Sequence, residues 1–342
     1  MAIAGKRNWL TWTLLGLVVF CALAWTVLWN LAAGQSEKTV EAWIAREKSF
    51  GRIWFCPERS IRGFPFAIEM ICTKPRFDGI IFGRHFTGGL GGFRATAVVF
   101  HPTAVTAWLG APFAVSAEDE NTHLELAWDN LRIALDGLPQ QIWHVTIHAE
   151  KLAWRGTSQE FGPLAGNAER LSGEAANHAT GHAYDFDVKI NAARLPDVDR
   201  LLSADLPADI AARGTVTQAG FDPQLTLPRN MDNWRAAGGR VDLAELNLTH
   251  GPTRFTAHGS LGLDDLHRVE GKLDTESYGL APLLIRLGVN PMLVSAGTLL
   301  SGLLNGTSSN SEPDALVLPI GFEDGFLSVG PAQTSIRLPA LY

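Results

Sequence analysis

Residues 56–72 read CPERSIRGFPFAIEMIC, with a cysteine at each end and a turn signal, Arg62-Gly63, in between. After this turn, apolar residues recur at every second position, which predicts a β-strand with one apolar face. These residues are Phe64, Phe66, Ile68, Met70 and Cys72. The stretch therefore predicts a β-hairpin, and the same alternation recurs along most of the chain that follows.

The two cysteines of this hairpin, Cys56 and Cys72, are expected to form a disulfide. Cys21 is the third cysteine of the chain, and it lies in an apolar segment typical of a membrane span. An oxidising compartment favours a disulfide between the other two. The alternative is metal binding by two thiols, but no His or Cys lies at ligand spacing around them.

The N-terminal segment is long and apolar enough to cross a membrane. Residues 8–36 contain no charged residue, and about 20 apolar residues span a bilayer. Lys6 and Arg7 precede the segment, which predicts a cytoplasmic N-terminus. Tryptophans lie near both ends, as interfacial residues do. The alternative is a signal peptide cleaved after Ala22-Leu23-Ala24, but the apolar run continues beyond that site.

These features divide the chain into four parts. Residues 1–8 are predicted to be a cytoplasmic tail and residues 9–33 a transmembrane anchor. Residues 34–50 read as a membrane-proximal helix with Ser36 as a candidate N-cap and Gly51 as its stop. Residues 51–342 are predicted to form a β-rich domain outside the cytoplasm. The sequence therefore predicts a single-pass membrane protein.

The whole-chain composition agrees with a folded, turn-rich protein. Hydrophobic residues make up 46% of the 342 residues and charged residues 18%, with 34 Gly and 18 Pro. The formal net charge is −7. An acidic chain without a Lys/Arg cluster lacks the surface that neutralises phosphates, so nucleic acid is not an expected partner.

Further segments alternate as antiparallel strands with one covered side do. They are residues 94–100, 122–135, 143–148, 184–190, 240–248, 253–263 and 268–274, and a C-terminal hairpin of 316–322 and 326–329. The apolar phase slips by one residue near Asp129-Asn130, which predicts a bulge. The expected fold is mainly β (α+β), with the transmembrane helix followed by a large antiparallel, curved sheet. This sheet would form a groove or a sandwich, with a few short helices.

Two segments read as helices within the β-rich domain. Residues 196–203 predict a short helix, and residues 280–304 predict helix in two pieces that each begin near a proline. The second piece carries no charge. It is expected to be a core helix, or an apolar lid over a sheet that accepts lipid. The glycine-rich run of residues 88–92 is expected to be a flexible turn.

The sequence contains no recognisable motif for catalysis or for metal or nucleotide binding. His144 and His148, and also His178 and His182, have the spacing of two zinc ligands on a helix, but neither pair has the adjoining Glu of H-E-x-x-H. The sequence contains no G-x-S-x-G elbow. We therefore expect no catalytic residues, cofactor or metal ion, and the chain does not read as an enzyme.

The one-sided strands point instead to a surface for lipid chains. Each methylene that moves from water into an apolar groove gains about 0.8 kcal/mol. The candidate lipid-facing side chains are Phe64, Phe66, Ile68, Met70, Trp143, Val145 and Ile147. The sequence leaves open whether these faces pack against each other in a sandwich or line an open groove.

The hairpin also carries a family resemblance. Trp54, Cys56-Pro57, residues 60–66 and Cys72 resemble an uncharacterised bacterial envelope family, domain of unknown function 2125, as does the closing stretch from Asp324 to Pro331. Residues 258–264 and 271–274 are similar to the strand repeats of AsmA-like proteins. That wider resemblance implies an inner-membrane anchor and a periplasmic β-groove that takes part in phospholipid movement. It supplies no catalytic residues.

The predicted function is non-enzymatic lipid binding or transfer, or envelope homeostasis. The expected partners are the inner membrane, phospholipid and an envelope protein. One alternative is a structural or adaptor module that binds another envelope protein. An envelope hydrolase is a further alternative, and it would require acidic or Ser/His side chains to converge in a cleft.

Overall fold

The computed structural model contains one long N-terminal helix followed by an extensive antiparallel β-sheet. The structure describes residues 4–81, 84–118, 122–138, 141–158, 162–178, 182–196, 199–200, 205–222, 225–280, 292 and 316–342. The predicted helix at 196–203 lies only partly within these residues. The one predicted at 280–304 lies outside them apart from two positions.

Helix α1 runs from Ala4 to Ser49 without interruption. The predicted anchor and the predicted membrane-proximal helix are therefore one element. Among the described residues this is the one helix long and apolar enough to cross a membrane. The predicted N-cap at Ser36 is wrong, because the helix continues through it and the Ser36 hydroxyl donates to the Ala32 carbonyl at 2.9 Å. The predicted stop is confirmed, since Gly51 follows the helix with φ +75°.

Nineteen strands and a second helix follow in the described part of the chain. The strands are β1 (Arg52–Phe55), β2 (Glu58–Arg62), β3 (Ala67–Thr73), β4 (Arg76–Ile81), β5 (Arg84–Val98), β6 (His101–Ala117), β7 (His123–Ala127), β8 (Asn130–Asp136), β9 (His144–Ser158), β10 (Gly162–Asn177), β11 (Ala183–Ala193), β12 (Ala208–Thr217), β13 (Val241–His250), β14 (Thr253–Leu263), β15 (Val269–Tyr278), β16 (Leu316–Val317), β17 (Ile320–Glu323), β18 (Phe326–Val329) and β19 (Ala332–Arg337). Helix α2 (Leu227–Ala236) lies between β12 and β13.

The strands form one sheet in which pairing follows chain order closely. From β9 to β15 every strand pairs antiparallel with the next. At the N-terminal side, β3 and β4 share one edge of β5, and β7 and β8 both lie between β6 and β9. At the other side, β15 pairs with β16 and β17, and β18 and β19 follow. The mainly β fold with a large antiparallel sheet is therefore confirmed, and the described strands form one sheet and not two.

The opening hairpin forms as β2 and β3, although its strand begins later than predicted. Gly63 adopts φ +104° in the turn, and a Cβ there would lie 2.6 Å from the Ala67 carbonyl oxygen. Pro65 has no N–H to donate to a ladder. Phe64 and Phe66 therefore belong to the turn, and the paired strand starts at Ala67.

Two other sequence predictions differ from the structure. The glycine-rich run of residues 88–92 is not a turn but part of β5, where the register shifts against β6 between Leu90 and Gly92. A side chain at Gly91 would collide with the backbone of Ala111, so glycine permits a close strand approach. Helix α2 was missed, although Thr226 at its N-cap and Pro228 in its first turn are recognisable start signals.

Candidate functional site

One face of the sheet carries apolar side chains across almost its whole width. Residues that pair directly across neighbouring strands lie on the same face. The pairing register connects one such row from β3 to β15. The row is Met70, Ala95, Ala107, Ile133, Ile147, Gly173, Val188, Ala212, Leu246, Ala257 and Thr275. All but the last are apolar, so the alternation seen in each strand adds up to one continuous surface.

Two parallel rows widen this surface, which we call the apolar face. The second row is Ile68, Ala97, Val105, Leu135, Val145, Ala175, Phe186, Gly214, Leu243, Gly259, Leu273, Ile320 and Val329. The third is Cys72, Phe93, Leu109, Leu131, Ala149, Leu171, Ile190, Ile210, Leu248, Phe255, Ser277 and Leu316. Most of these side chains are half-buried.

The opposite face of the sheet is polar and charged. A row on that face reads Arg94, Trp108, Arg132, His148, Ser172, Lys189, Ala211, Asn247, Thr256 and Glu276. Ion pairs such as Arg155 with Glu125 at 2.8 Å connect neighbouring strands there. The two faces therefore differ in the way expected of a sheet with one side in water.

A cavity of about 960 Å³ lies between helix α1 and the apolar face. The helix contributes one wall from Thr39 to Arg46, and strands β3 to β8 supply most of the rest. The sheet residues that line it include Met70, Cys72, Phe77, Leu90, Phe93, Leu109, Phe113, Leu126 and Leu131. Five of these belong to the first and third rows, so the cavity is the part of the apolar face that α1 covers.

The end of helix α1 is tied to the sheet by charge and by aromatic contacts. The Arg52 guanidinium donates twice to the Glu47 carboxylate, at 2.7 and 2.9 Å, and the Trp54 indole donates to it at 3.3 Å. Trp54 also packs between Trp43 of the helix and Phe77 of β4, with ring centroids 5.6 and 4.8 Å away. These contacts connect the C-terminal end of α1 to β1 and β4, beside the cavity.

The predicted disulfide is present and forms part of this wall. Cys56 and Cys72 are bonded, with Cα atoms 5.7 Å apart. Both residues line the cavity, and Cys72 is 5% exposed. The bond therefore joins the segment after β1 to β3, directly beneath the helix.

Three arginines are the charged residues of the described cavity lining. Arg59 is neutralised by Glu41 at 3.1 Å and Glu37 at 3.6 Å. Arg46 has a buried Nε that makes no hydrogen bond with any residue the structure describes. Arg76 is exposed and makes no ion pair with a residue that the structure describes. An apolar cavity with guanidinium groups at its margin suits an amphiphile with an anionic head.

The predicted lipid-facing residues fall into three places. Met70 lines the cavity. Ile68, Val145 and Ile147 lie on the apolar face, in the first and second rows, but not in the cavity wall. Phe64, Phe66 and Trp143 lie at one edge of the sheet, where they are 52%, 61% and 55% exposed.

Sequence reasoning missed most of the cavity wall. Leu90 and Phe93 both line the cavity, but they are three residues apart because the register shifts at the glycines between them. Alternation therefore does not mark this part of β5 in the sequence. The contribution of the helix was also missed, although Val40, Trp43 and Ile44 recur at helical spacing on one side. That spacing indicates a packed face, but it does not show which strands the helix meets.

The histidine pairs lie away from the cavity. His144 and His148 share the polar face of β9, where His144 lies between Glu174 at 3.0 Å and Asp136 at 3.2 Å. Within the described ranges, no three His, Cys, Asp or Glu residues are grouped as metal ligands would be.

Comparison with known proteins adds one relationship. The model of a family described as uncharacterized protein conserved in bacteria matches residues 29–335. No curated protein matches the chain. The match begins within helix α1 and ends in β19, so it covers the cavity and nearly all of the described sheet.

Proposed function

The chain belongs to the bacterial family DUF2125, and we propose that it is a membrane-anchored protein that binds lipid chains without catalysing a reaction. The sequence prediction of this family is confirmed, whereas the AsmA-like similarity stays a prediction. The observation that carries the proposal is the cavity between α1 and the apolar face.

The chemistry of the cavity lining supports an apolar ligand. A volume of about 960 Å³ lies at the upper end of the range of small-molecule sites, which is roughly 300–1,000 Å³. The described lining contains no carboxylate and no imidazole, the groups that most often act as general acid or base. Burying an acyl chain there gains about 0.8 kcal/mol for each methylene.

The position of the cavity supports a ligand taken from the membrane. Its helical wall, Thr39 to Arg46, begins only a few residues after the uncharged segment of residues 8–36 ends. At a rise of 1.5 Å per residue, Thr39 lies roughly 5 Å along the helix from Ser36. An acyl chain would therefore travel a short path from the bilayer to the cavity.

Two arginines of the cavity lining favour an anionic head group. Arg46 and Arg76 would lie at the margin of a bound amphiphile, where a carboxylate or a phosphate could accept hydrogen bonds from their guanidinium groups. We therefore expect fatty acid or anionic phospholipid to bind more tightly than a neutral lipid of the same chain length.

A matched pair of helix variants tests the proposal. Ala42 lines the cavity, whereas Ala45, on the same helix, does not. Ala42→Trp should fill the cavity and lower both co-purified lipid and uptake of a fluorescent fatty acid at least fivefold. Ala45→Trp should leave both unchanged. Mass spectrometry of the purified full chain gives the first readout and fluorescence titration the second.

Two results would contradict the proposal. One is wild-type protein that carries no lipid and takes up no fluorescent fatty acid. The other is equal lipid binding by Ala42→Trp and Ala45→Trp when circular dichroism shows that both are folded. Replacing Arg76 with Gln tests the head group separately. This change should weaken the binding of an anionic lipid and leave the binding of a neutral lipid unaffected.

A second candidate function is an adaptor, and the C-terminal end of the sheet favours it. Within the described residues β19 pairs only with β18, and a strand from a partner protein could pair with its other edge. Pull-down with full-length protein, compared with a variant carrying Thr334→Pro in β19, would detect a partner that binds in this way.

A further inference from the structure

The turn of the opening hairpin is fixed to helix α1 inside its uncharged segment. The Trp25 indole donates to the Pro65 carbonyl at 2.9 Å, and the Trp29 indole donates to the Ala67 carbonyl at 2.9 Å. Trp25 and Trp29 are four residues apart and therefore lie on the same side of the helix. The turn between β2 and β3 thus runs alongside the part of α1 that the sequence assigns to the membrane.

A second turn, between β5 and β6, reaches the same level. Phe100 stacks on Trp25 with ring centroids 5.8 Å apart, and Phe66 lies 6.4 Å from Phe100. Phe64 meets Trp29 edge-on at 5.5 Å. Five aromatic rings from three elements therefore form one cluster, which we call the aromatic tip: Trp25, Trp29, Phe64, Phe66 and Phe100.

The phenylalanines of the aromatic tip are exposed although each one packs against another ring of the cluster. Phe64 is 52% exposed, Phe66 61% and Phe100 64%. The turns that carry them are uncharged, since residues 63–68 and 95–100 contain no Asp, Glu, Lys or Arg. Three large exposed rings together on uncharged turns form a patch of the kind that marks an interaction surface.

The position of the tip along the helix identifies what it meets. Trp29 lies eight residues before Glu37, the first charged residue after the uncharged segment, which is roughly 12 Å along the helix axis. The tip therefore lies on the membrane side of the first charge. Tryptophan and other aromatic residues concentrate at the membrane–water interface, so the surface next to this part of α1 is lipid.

We propose that the aromatic tip inserts into the interfacial region of the bilayer leaflet on the side of the β domain, next to α1. The sheet would then meet the membrane with the ends of its strands, on the side that carries the β2–β3 and β5–β6 turns. Trp143, 55% exposed, precedes β9 at the same edge. This inference requires α1 to span the membrane, but it does not require that the cavity binds lipid.

Depth-dependent fluorescence quenching in vesicles tests the insertion. A Cys21→Ser background would carry Phe66→Cys or Phe100→Cys, each labelled with an environment-sensitive fluorophore and reconstituted as full-length protein. The vesicles would contain phosphatidylethanolamine, phosphatidylglycerol and a lipid with a quencher near its head group. Both sites should be quenched at least twice as strongly as the control site.

The chain provides both controls. Ile80→Cys is the negative control. Ile80 is 53% exposed on β4 and pairs with His85 near the start of β5. That position lies roughly 40 Å along β5 from Val98, which is next to the aromatic tip. Wild-type Cys21, an exposed free thiol on α1, is the positive control and should be quenched by a lipid labelled deep in its acyl chain.

Three outcomes would overturn the proposal. Quenching at residues 66 and 100 that equals quenching at residue 80 would show that the tip lies in water. Fluorophore contact between two copies in place of quenching would show a protein interface. If the lipid labelled deep in its acyl chain does not quench Cys21, α1 does not span the membrane, and the proposal fails. If Phe100→Cys does not fold, Phe64→Cys, at the outer side of the same tip, replaces it.

Discussion

At the residue scale, the bond between Cys56 and Cys72 stabilises the first hairpin and the wall of the cavity. Closing a loop of sequence separation 16 contributes roughly 3 kcal/mol in the chain-entropy model. We predict that Cys56→Ser lowers the free energy of unfolding by about that amount in thermal or denaturant melts. Cys21→Ser is the control and should leave stability unchanged, and reductant should destabilise only proteins that contain both Cys56 and Cys72.

We predict that the imidazole of His144 makes the stability of the sheet depend on pH. Hydrogen bonds to Glu174, and then to Asp136, raise the pKa of His144 above its ordinary value. A group whose pKa is raised on folding contributes stability that is complete below its unfolded pKa, about 6.5, and is lost as pH rises through the folded pKa. His144→Gln should therefore cost more stability at pH 5.5 than at pH 9.

The size of this effect follows from the exposure of the partners. Glu174 is 61% exposed in its side chain and His144 26%, and exposed pairs contribute only ~0.2–1 kcal/mol. Urea melts at the two pH values measure the difference. His101→Gln is the control, and an equal cost of His144→Gln at both pH values would show that the pair does not stabilise the fold.

At the scale of elements, the contact between Glu47 and Arg52 holds helix α1 against the sheet. Glu47 is 8% exposed, and its removal leaves the Arg52 guanidinium without its bidentate acceptor. We predict that Glu47→Ala costs about 2–3 kcal/mol of unfolding free energy. Lys48→Ala, on the exposed side of the same turn, should cost less than about 0.5 kcal/mol. Similar losses in the two variants would contradict this role for Glu47.

The same scale shows what the sequence can predict. Most strands were recognised because alternation is a local property: Tyr184, Phe186 and Val188 identify β11 without reference to any neighbour. The turn at Asp324-Gly325 was recognised for the same reason, and both residues adopt positive φ. The cavity could not be predicted, because it depends on how Trp43 of α1 meets Phe77 of β4. Such a contact between distant segments leaves no local pattern.

At the scale of the whole molecule, the sheet is stabilised mainly by contacts between strands that are adjacent in the chain. In such quasi-one-dimensional proteins one end opens without the other. Val329, 4% exposed in β18, belongs to the second apolar row. We predict that Val329→Asp increases amide exchange in β15 to β19 at least tenfold and leaves β5 to β9 unchanged. Ala149 is 0% exposed in β9, and Ala149→Asp should instead increase amide exchange in β5 to β9. A uniform increase in exchange across the sheet in either variant would show that the sheet unfolds as one cooperative unit.

The chain-order pairing from β9 to β15 has a consequence for how such a protein can change in length. Adding or deleting two successive strands would preserve the direction of the strands that follow, their side-chain phase and the polarity of both faces. Adding or deleting an odd number would reverse the direction of the strands that follow. The pairing pattern therefore permits a longer or shorter sheet in steps of one hairpin. The helix, the disulfide and the cavity at the N-terminal end would be unaffected by such steps.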